Sequence, residues 1–157
     1  MNILFIDHGG VLYLGEPFGD KILRDFNVEC VKVLNSIILE TDCEIVISSD
    51  WKTWNSIEQM SEFYKSQGIL KSPIGFTDKF VEYYDWNKLP SQRSFEIISW
   101  LETNDVDNWV VLDDLDMSDH IDNFIKIDPS RGLCSEYYPE IIRQLNRENF
   151  NRSANGW

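Results

Sequence analysis

NILFIDHGGVL, which occupies residues 2–12, places five residues, four of them apolar, directly before Asp7 and two glycines soon after it. A short apolar run of this kind is typical of a strand buried on both faces, as the central strand of a parallel sheet is. Asp7 would then lie at the carboxyl end of that strand, where open α/β sheets bind ligands. Gly9 and Gly10 allow the backbone to turn sharply and to approach a ligand closely.

The composition indicates a single folded domain. The chain has 157 residues, of which 43% are apolar and 13% aromatic, enough to bury a core and too apolar for a disordered chain. We expect this domain over residues 1–148 and a frayed, polar tail over residues 149–157. No apolar stretch approaches the roughly 20 residues that span a bilayer, and no basic region precedes the first apolar run.

The cysteines and the net charge limit the environment and the partners. The three cysteines are widely spaced, which favours buried reduced thiols in a cytoplasmic protein: Cys30, Cys43 and Cys134. The net charge of −13, from 14 basic and 27 acidic residues, disfavours a long nucleic-acid footprint. It leaves room for one phosphate held locally, because a divalent cation would reverse the sign of the charge inside a pocket.

Apolar runs and helical patterns alternate along the chain. Further strands are predicted over residues 43–47, 109–112 and 124–127. Four helices are predicted. The first has a cap at Asn27 with Glu29 in its first turn, and the second has a capping box formed by Ser56 and Gln59, with Gly68 closing the helix. The third runs from about Gln92 to Glu102 and turns Phe95, Ile98 and Leu101 toward the sheet, and a terminal helix carries Tyr138, Ile141, Ile142 and Leu145 on one face. This alternation predicts an α/β fold, a doubly wound, Rossmann-like, mainly parallel sheet of about five strands. The loop over residues 13–27 is too short for a cap domain.

Residues 69–92 are predicted to be irregular and contain many aromatic side chains. These side chains are Phe76, Phe80, Tyr83, Tyr84 and Trp86. Packing under a long loop is one explanation for them, and the alternative is that they line a pocket wall for a nucleobase or another aromatic substrate group. Trp51 has the same two interpretations, stacking on a substrate or packing beneath a helix start.

Three apolar runs each end in small polar or acidic residues. Asp7 follows the first run, Ser48 and Ser49 follow the second, and Asp113 and Asp114 follow a later one. In a parallel sheet these ends lie on one edge, so the side chains are expected to converge on one crevice.

These residues, in this order, resemble the four motifs of the haloacid dehalogenase (HAD) superfamily over nearly the whole chain. The resemblance implies that Asp7 is the nucleophile, that Ser48 or its neighbour Ser49 is the motif-two hydroxyl, and that Arg93 is the motif-three basic residue. Asp113 and Asp114 would be the motif-four acids. The implied activity is that of a metal-dependent phosphohydrolase.

A capless subgroup, the HAD domains of Swiss Army Knife RNA repair proteins, is more similar still. The similar stretches are Ile45-Val-Ile-Ser-Ser-Asp-Trp-Lys52, Arg93-Ser-Phe-Glu-Ile97 with Trp100-Leu101, Val111-Leu-Asp-Asp114 and Ile127-Asp-Pro-Ser-Arg-Gly-Leu133. This resemblance implies a nucleotide or nucleic-acid-end phosphate, or another small phosphorylated substrate.

The chemistry of phosphoryl transfer agrees with these roles. A carboxylate can attack phosphorus to form an aspartyl-phosphate, and Mg²⁺ suits such a site because it prefers oxygen ligands. Those oxygens can come from Asp7, from the backbone carbonyl of Gly9 and from Asp113 or Asp114. The sequence does not decide which of these last two acids ligates the metal. Ser48 and Arg93 would hold the phosphoryl oxygens.

Several residues compete for substrate-binding roles. Ser49, Trp51 and Lys52 follow the second strand directly, and the lysines at 52, 79 and 88 compete with Arg93 for the phosphate, although the fork of an arginine fits phosphate better. Arg93 has the alternative of being a surface helix residue. His8 could act in catalysis or point away from the crevice.

Position 9 departs from the family pattern. The family has a second aspartate here, the general acid/base that protonates the leaving group and then activates water, and this chain has Gly9. Acid/base help of this type contributes roughly 10²- to 10⁴-fold. Three explanations stay open: a substitution in an otherwise competent phosphatase, a substrate with a good leaving group, or a domain that binds phosphate and metal without turnover.

Two further functional classes are alternatives to the phosphohydrolase. A non-catalytic phosphate-binding or partner-binding module could use the same scaffold. A receiver-like signalling domain also uses an acidic pocket, but it has paired acids after the first strand and its phosphoacceptor after the third, the reverse of the order here.

Overall fold

The computed structural model describes residues 1–15, 23–79, 85 and 87–147. The strands in this part of the chain are β1 (Asn2–Ile6), β2 (Glu44–Ile47), β3 (Gly75–Phe76), β4 (Asn108–Asp113) and β5 (Phe124–Lys126). The helices are α1 (Val28–Thr41), α2 (Ile57–Ser66), α3 (Leu89–Glu102) and α4 (Tyr138–Leu145). Two short 3₁₀ segments also occur, Asp50–Thr53, called the 50–53 turn below, and Ser135–Tyr137.

The five strands form one parallel sheet in the order β3-β2-β1-β4-β5. The chain moves outward from β1 through β2 to β3, and it then returns to place β4 on the other side of β1. The strand order therefore reverses between β1 and β4, and this is where doubly wound folds form their ligand crevice. The predicted α/β class and parallel five-stranded sheet are confirmed.

Alternate residues of β1 are buried on opposite faces of the sheet. Leu4 and Ile6 belong to the core cluster under α1, α2 and α4, whereas Ile3 and Phe5 belong to the cluster under α3. All four side chains are fully buried, and each contributes roughly 1.5–3 kcal/mol by leaving water. The apolar run before Asp7 thus fixes the central position of β1.

Local capping signals place two helices as predicted. The Asn27 side chain accepts hydrogen bonds from the backbone N–H groups of Glu29 and Cys30 at the start of α1. Ser56 and Gln59 form a reciprocal capping box at α2, and Gly68 follows that helix with a φ of +78°. Side-chain oxygens in these positions satisfy N–H groups that the helix itself leaves unpaired.

The helix α3 differs from its prediction in start and in orientation. It begins at Leu89, because Pro90 falls in the first turn, where its missing N–H costs nothing. Phe95 and Ile98 are exposed, so the prediction that they face the sheet is wrong, whereas Leu101 packs against the core as predicted. The buried face of α3 is largely polar and supplies ion pairs, which apolar periodicity alone does not reveal.

Residues 69–92 are not wholly irregular. Residues 75–76 form β3 beside Val46 and Ile47, a two-residue strand too short to show an alternating pattern. Phe76 packs against the core on the α1 side. The other aromatic residues of this predicted cluster (80, 83, 84 and 86) lie outside the described residues, as do positions 16–22 of the loop after β1 and the predicted tail. No helix in the described ranges is long and apolar enough to cross a membrane.

Candidate active site

Three carboxylates lie together at the carboxyl edge of the sheet. Asp7 directly follows β1, and Asp113 is the last residue of β4, with Asp114 next to it. Since β1 and β4 pair with Ile6 opposite Leu112, the two strands end at the same level. One oxygen from each of the three acids lies within 4.8 Å of the other two. The acids are therefore close enough to share one cation.

Arg93 extends from α3 into this acidic cluster, and its side chain is almost fully buried. Its Nη1 donates a hydrogen bond to Asp113 Oδ2 at 2.9 Å and lies 3.5 Å from Asp7 Oδ2. Its Nη2 donates to Asp50 Oδ1 at 3.0 Å. One guanidinium thus contacts three carboxylates, and Asp114 adds a fourth acid, so negative charge is in excess.

Burial and the excess negative charge change the proton affinities of Asp7 and Asp114. Burial raises the pKa of Asp7 well above its usual range, and the charge of Asp113 raises it further, while Arg93 opposes both effects. Burial also raises the pKa of Asp114. Burial works against the charge of Arg93, but the neighbouring carboxylates, above all Asp113, outweigh it and raise its pKa. Without a cation, Asp7 and Asp114 therefore bind protons more readily than exposed carboxylates do.

Ser48 and Ser49 have different environments. Ser49 caps the 50–53 turn, and its Oγ accepts a hydrogen bond from the backbone N–H of Trp51 at 3.2 Å. Ser48 is fully buried, and within the described residues its hydroxyl has no hydrogen-bond partner. A buried polar group in this state costs roughly 1–3 kcal/mol, and an oxygen-rich ligand would satisfy it. The geometry favours Ser48 over Ser49 as the phosphate-binding serine.

The backbone after Asp7 folds into a tight turn. The carbonyl oxygen of His8 accepts hydrogen bonds from the backbone N–H groups of residues 11, 12 and 13. Gly10 has a φ of +77°, in the left-handed region that favours glycine. This turn brings the backbone at Gly10 to the acidic cluster, against Asp114.

A family model described as the HAD domain in Swiss Army Knife RNA repair proteins matches residues 3–137. The chain belongs to this family. The match begins in β1 and ends just before α4, so it includes every residue of the acidic cluster. Neither the curated proteins nor the solved structures contain a match to the chain. The family is in general one of hydrolases of the phosphatase type, and membership confirms the predicted superfamily and subgroup.

The residues of this HAD domain fit a divalent cation. Three carboxylates at the end of parallel strands offer hard oxygen ligands, and one buried arginine leaves most of their charge unbalanced. These are the ligands and the charge that Mg²⁺ prefers. The backbone carbonyl of Gly9 as a fourth protein ligand stays a prediction.

Position 9 of the HAD domain is open. A Cβ atom built on Gly9 meets nothing within 4 Å, and the φ of this residue lies outside the left-handed region. An aspartate side chain would therefore enter this position without backbone strain. The aspartate that the family pattern has at this position is missing from the sequence, and its Cβ atom would meet no neighbour here.

His8 is buried in an aromatic cluster. Its Nε2 lies 2.6 Å from Tyr64 Oη, and its ring contacts the rings of Phe26, Trp51 and Tyr64 at centroid distances of 4.8–5.6 Å. Burial lowers its pKa to about 3, so the imidazole is neutral at ordinary pH. Of the two alternatives for His8, the structure favours packing over catalysis.

Trp51 and Lys52 both make internal contacts in this HAD domain. Trp51 contacts His8 and stacks on Phe26 with a centroid distance of 5.7 Å, which favours packing over stacking on a substrate. Lys52 Nζ donates to Glu96 Oε1 at 2.9 Å and to Thr77 Oγ1 at 2.8 Å. The predicted contact of Lys52 with substrate therefore competes with a buried ion pair. Lys79 and Lys88 are exposed.

Sequence reasoning missed the partners of the two basic residues. Asp50 pairs with Arg93, and Glu96 with Thr77 holds Lys52. Asp50 directly follows the two serines of the second motif, so its position was a usable signal. Glu96 lies 44 residues after Lys52 in the chain, and no local pattern links the two.

Proposed function

We propose that this HAD domain is a metal-dependent phosphohydrolase in which Asp7 is the nucleophile. The supporting observation is the acidic cluster, in which Asp7, Asp113 and Asp114 approach within 4.8 Å and Arg93 lies beside two of them. Mg²⁺ held by these acids would offset their charge and that of the phosphoryl group, the main requirement of phosphoryl transfer.

The reaction proceeds in two displacements. A carboxylate oxygen of Asp7 attacks phosphorus, the bond from phosphorus to the leaving oxygen breaks, and that oxygen keeps the electron pair. Water then attacks the aspartyl-phosphate and releases inorganic phosphate, which regenerates the carboxylate. The guanidinium of Arg93 and the unpartnered hydroxyl of Ser48 hold the phosphoryl oxygens in both steps.

Gly9 determines which substrates are hydrolysed fast. No side chain at position 9 can protonate the leaving oxygen or take a proton from the attacking water. Acyl phosphates, anhydrides and aryl phosphates, whose leaving groups depart without a proton, are therefore favoured in the first step. Alkyl phosphates, which include nucleoside monophosphates, are expected to react slowly.

The family description supports a nucleotide or a nucleic-acid end as the natural phosphate carrier, because it names RNA repair proteins. The net charge of −13 limits the contact to the few groups around the scissile phosphate. A terminal phosphate joined through an anhydride bond satisfies both observations, since it needs one pocket and no extended basic surface, and its leaving group departs without the acid that Gly9 lacks.

Gly9 also supports a second candidate, a module that binds phosphate and metal without turnover. Both candidates bind beryllium fluoride with Mg²⁺ at Asp7, but only the enzyme releases phosphate. The deciding experiment is hydrolysis of p-nitrophenyl phosphate with and without Mg²⁺, with Asp7→Asn as the control. Mg²⁺-dependent release that Asp7→Asn abolishes supports the enzyme. Binding of beryllium fluoride without any release supports the module.

A further inference from the structure

Two ion pairs join the 50–53 turn to α3. Asp50 pairs with Arg93 at 3.0 Å beside the acidic cluster, where the Asp50 side chain is 36% exposed. Lys52 pairs with Glu96 at 2.9 Å, and both of these side chains are at most 3% exposed. The first pair ends at the candidate catalytic groups, whereas the second is enclosed by protein.

The two pairs are linked by short stretches of chain. Lys52 follows Asp50 by two residues in the 50–53 turn, and Glu96 follows Arg93 by three residues on α3. Residues three apart on a helix lie on the same face. A shift of Glu96 along or around the helix axis therefore moves Arg93 with it.

Thr77 connects the Lys52–Glu96 pair to the sheet. The ammonium of Lys52 donates to Thr77 Oγ1 at 2.8 Å, and the backbone N–H of Thr77 donates to Ile47 O at 3.1 Å at the end of β2. The pair thereby connects α3 to the sheet edge at which Asp7 and Asp113 lie. Buried ion pairs add little stability over apolar pairs of similar size, but their hydrogen bonds are directional, so this pair can define a geometry.

We propose that Lys52 and Glu96 are positioning residues that fix the guanidinium of Arg93 against Asp7 and Asp113. Lys52 then affects phosphate binding through Arg93 and does not touch the phosphate. The effect on phosphate rests on the proposed function, whereas the effect on Arg93 itself does not.

The main test replaces the pair by apolar side chains of similar size. Lys52→Met with Glu96→Leu removes both charges together, so neither is left buried and alone. The matched control is Lys71→Met with Glu44→Leu, because this half-buried pair, at 3.1 Å, lies at the start of β2, away from the acidic cluster. Circular dichroism and melting temperature check folding of both proteins.

The first measurement follows the Arg93 guanidinium N–H signals by ¹⁵N–¹H NMR, assigned through Arg93→Lys. We expect slowly exchanging signals in the parent and in the control, and exchange-broadened signals after replacement of the Lys52–Glu96 pair. Unchanged Arg93 signals in a folded variant would overturn the proposal, whatever the outcome with phosphate.

The second measurement is the affinity for beryllium fluoride in the presence of Mg²⁺. We expect it to fall by about tenfold or more, since small misplacements of a binding group have effects of this size, while the affinity for Mg²⁺ alone changes far less. If the parent does not bind beryllium fluoride, the proposed function fails, and the NMR measurement still decides the positioning role.

Glu96→Gln separates positioning from direct contact and also serves if the double variant does not fold. It keeps a hydrogen-bond acceptor for Lys52 and removes the charge. If Lys52 touches phosphate, the weaker interaction of its ammonium with residue 96 leaves the affinity for beryllium fluoride unchanged or raises it. If the pair positions Arg93, the affinity falls and the guanidinium signals broaden. The first of these results contradicts the proposal.

Discussion

Gly10 and Asp114 are packed so closely that a Cβ atom at position 10 would lie 2.8 Å from Asp114 Cγ. The same Cβ atom would lie 3.0 Å from Pro129 Cβ, so the turn after β1 is held between two loops from the other half of the sheet. A glycine here lets the backbone that follows the candidate nucleophile touch an acid that follows β4.

Gly10→Ala should displace Asp114 and weaken Mg²⁺ binding by about tenfold or more, as loss of a supporting contact at a metal site does. Its φ of +77° adds a conformational cost of roughly 1–2 kcal/mol for alanine. Calorimetric titration with Mg²⁺ measures the first effect and denaturant unfolding the second. Gly9→Ala is the matched control, because its Cβ meets nothing within 4 Å. Equal Mg²⁺ affinity in both variants would contradict the role given to Gly10.

Gly9→Asp should raise the hydrolysis of alkyl phosphates by at least about tenfold, within the usual range for one acid/base group. The first step with p-nitrophenyl phosphate should gain much less, because its leaving group departs without a proton. The open space at position 9 means that the variant should fold normally. Gly9→Asn, which has the same shape and no acid, is the control. A folded Gly9→Asp protein that binds Mg²⁺ but gains on no phosphate would favour the binding module.

Asp7→Asn should raise the melting temperature of the metal-free protein at neutral pH. Burial and Asp113 raise the pKa of Asp7 well above its ordinary value of 3.8. The folded state then binds more protons than the unfolded state. The contribution of Asp7 protonation to the stability is therefore fully present below pH 3.8 and is lost as pH rises through the pKa of Asp7 in the folded state. Removing the charge should remove this loss, and thermal unfolding from pH 4 to pH 8 would show it.

The same linkage predicts how Mg²⁺ acts on the parent. Since protons compete with the cation for the acids, Mg²⁺ should raise the melting temperature more at pH 7 than at pH 5. Asp7→Asn should reduce this shift. Identical melting curves with and without millimolar Mg²⁺ would rule out the metal site.

His8→Gln should make the protein less sensitive to acid. Burial lowers the pKa of His8 to about 3 from its ordinary value of 6.5. Between these two pH values His8 binds a proton in the unfolded state but not in the folded state. The free energy of unfolding therefore falls with falling pH by up to about 1.4 kcal/mol per pH unit. Between pH 7 and pH 5 the parent should lose about 2 kcal/mol more than the variant. His120→Gln is the matched control, because it makes the same substitution at an exposed position outside the aromatic cluster.

The parts of this protein that its sequence predicts are those encoded by neighbouring residues. The apolar run before Asp7 and the capping residues Asn27 and Ser56 each act over a few positions, so their patterns can be recognised without a structure. The convergence of Asp7 with Asp113 also follows from sequence, because it needs only parallel strands that end at one edge.

The parts that could not be predicted depend on contacts between distant segments. The prediction for the face of α3 is wrong because Arg93 and Glu96 are buried through ion pairs, which override the apolar periodicity of Phe95 and Ile98. The difference between Ser48 and Ser49 depends on which hydroxyl caps the 50–53 turn, and their adjacent positions carry no signal for it.

The place of β4 beside β1 has a consequence for how the protein is made. Asp113 follows Asp7 by more than a hundred residues, so a ribosome that adds 5–20 residues per second needs roughly 5–20 s between them. During that interval β1 can pair with β2 on one side only, and its other edge, which β4 later covers, offers unpaired backbone groups to any neighbouring nascent chain. Asp7 and Asp113 meet only when β4 has paired with β1, and this pairing ends the exposure.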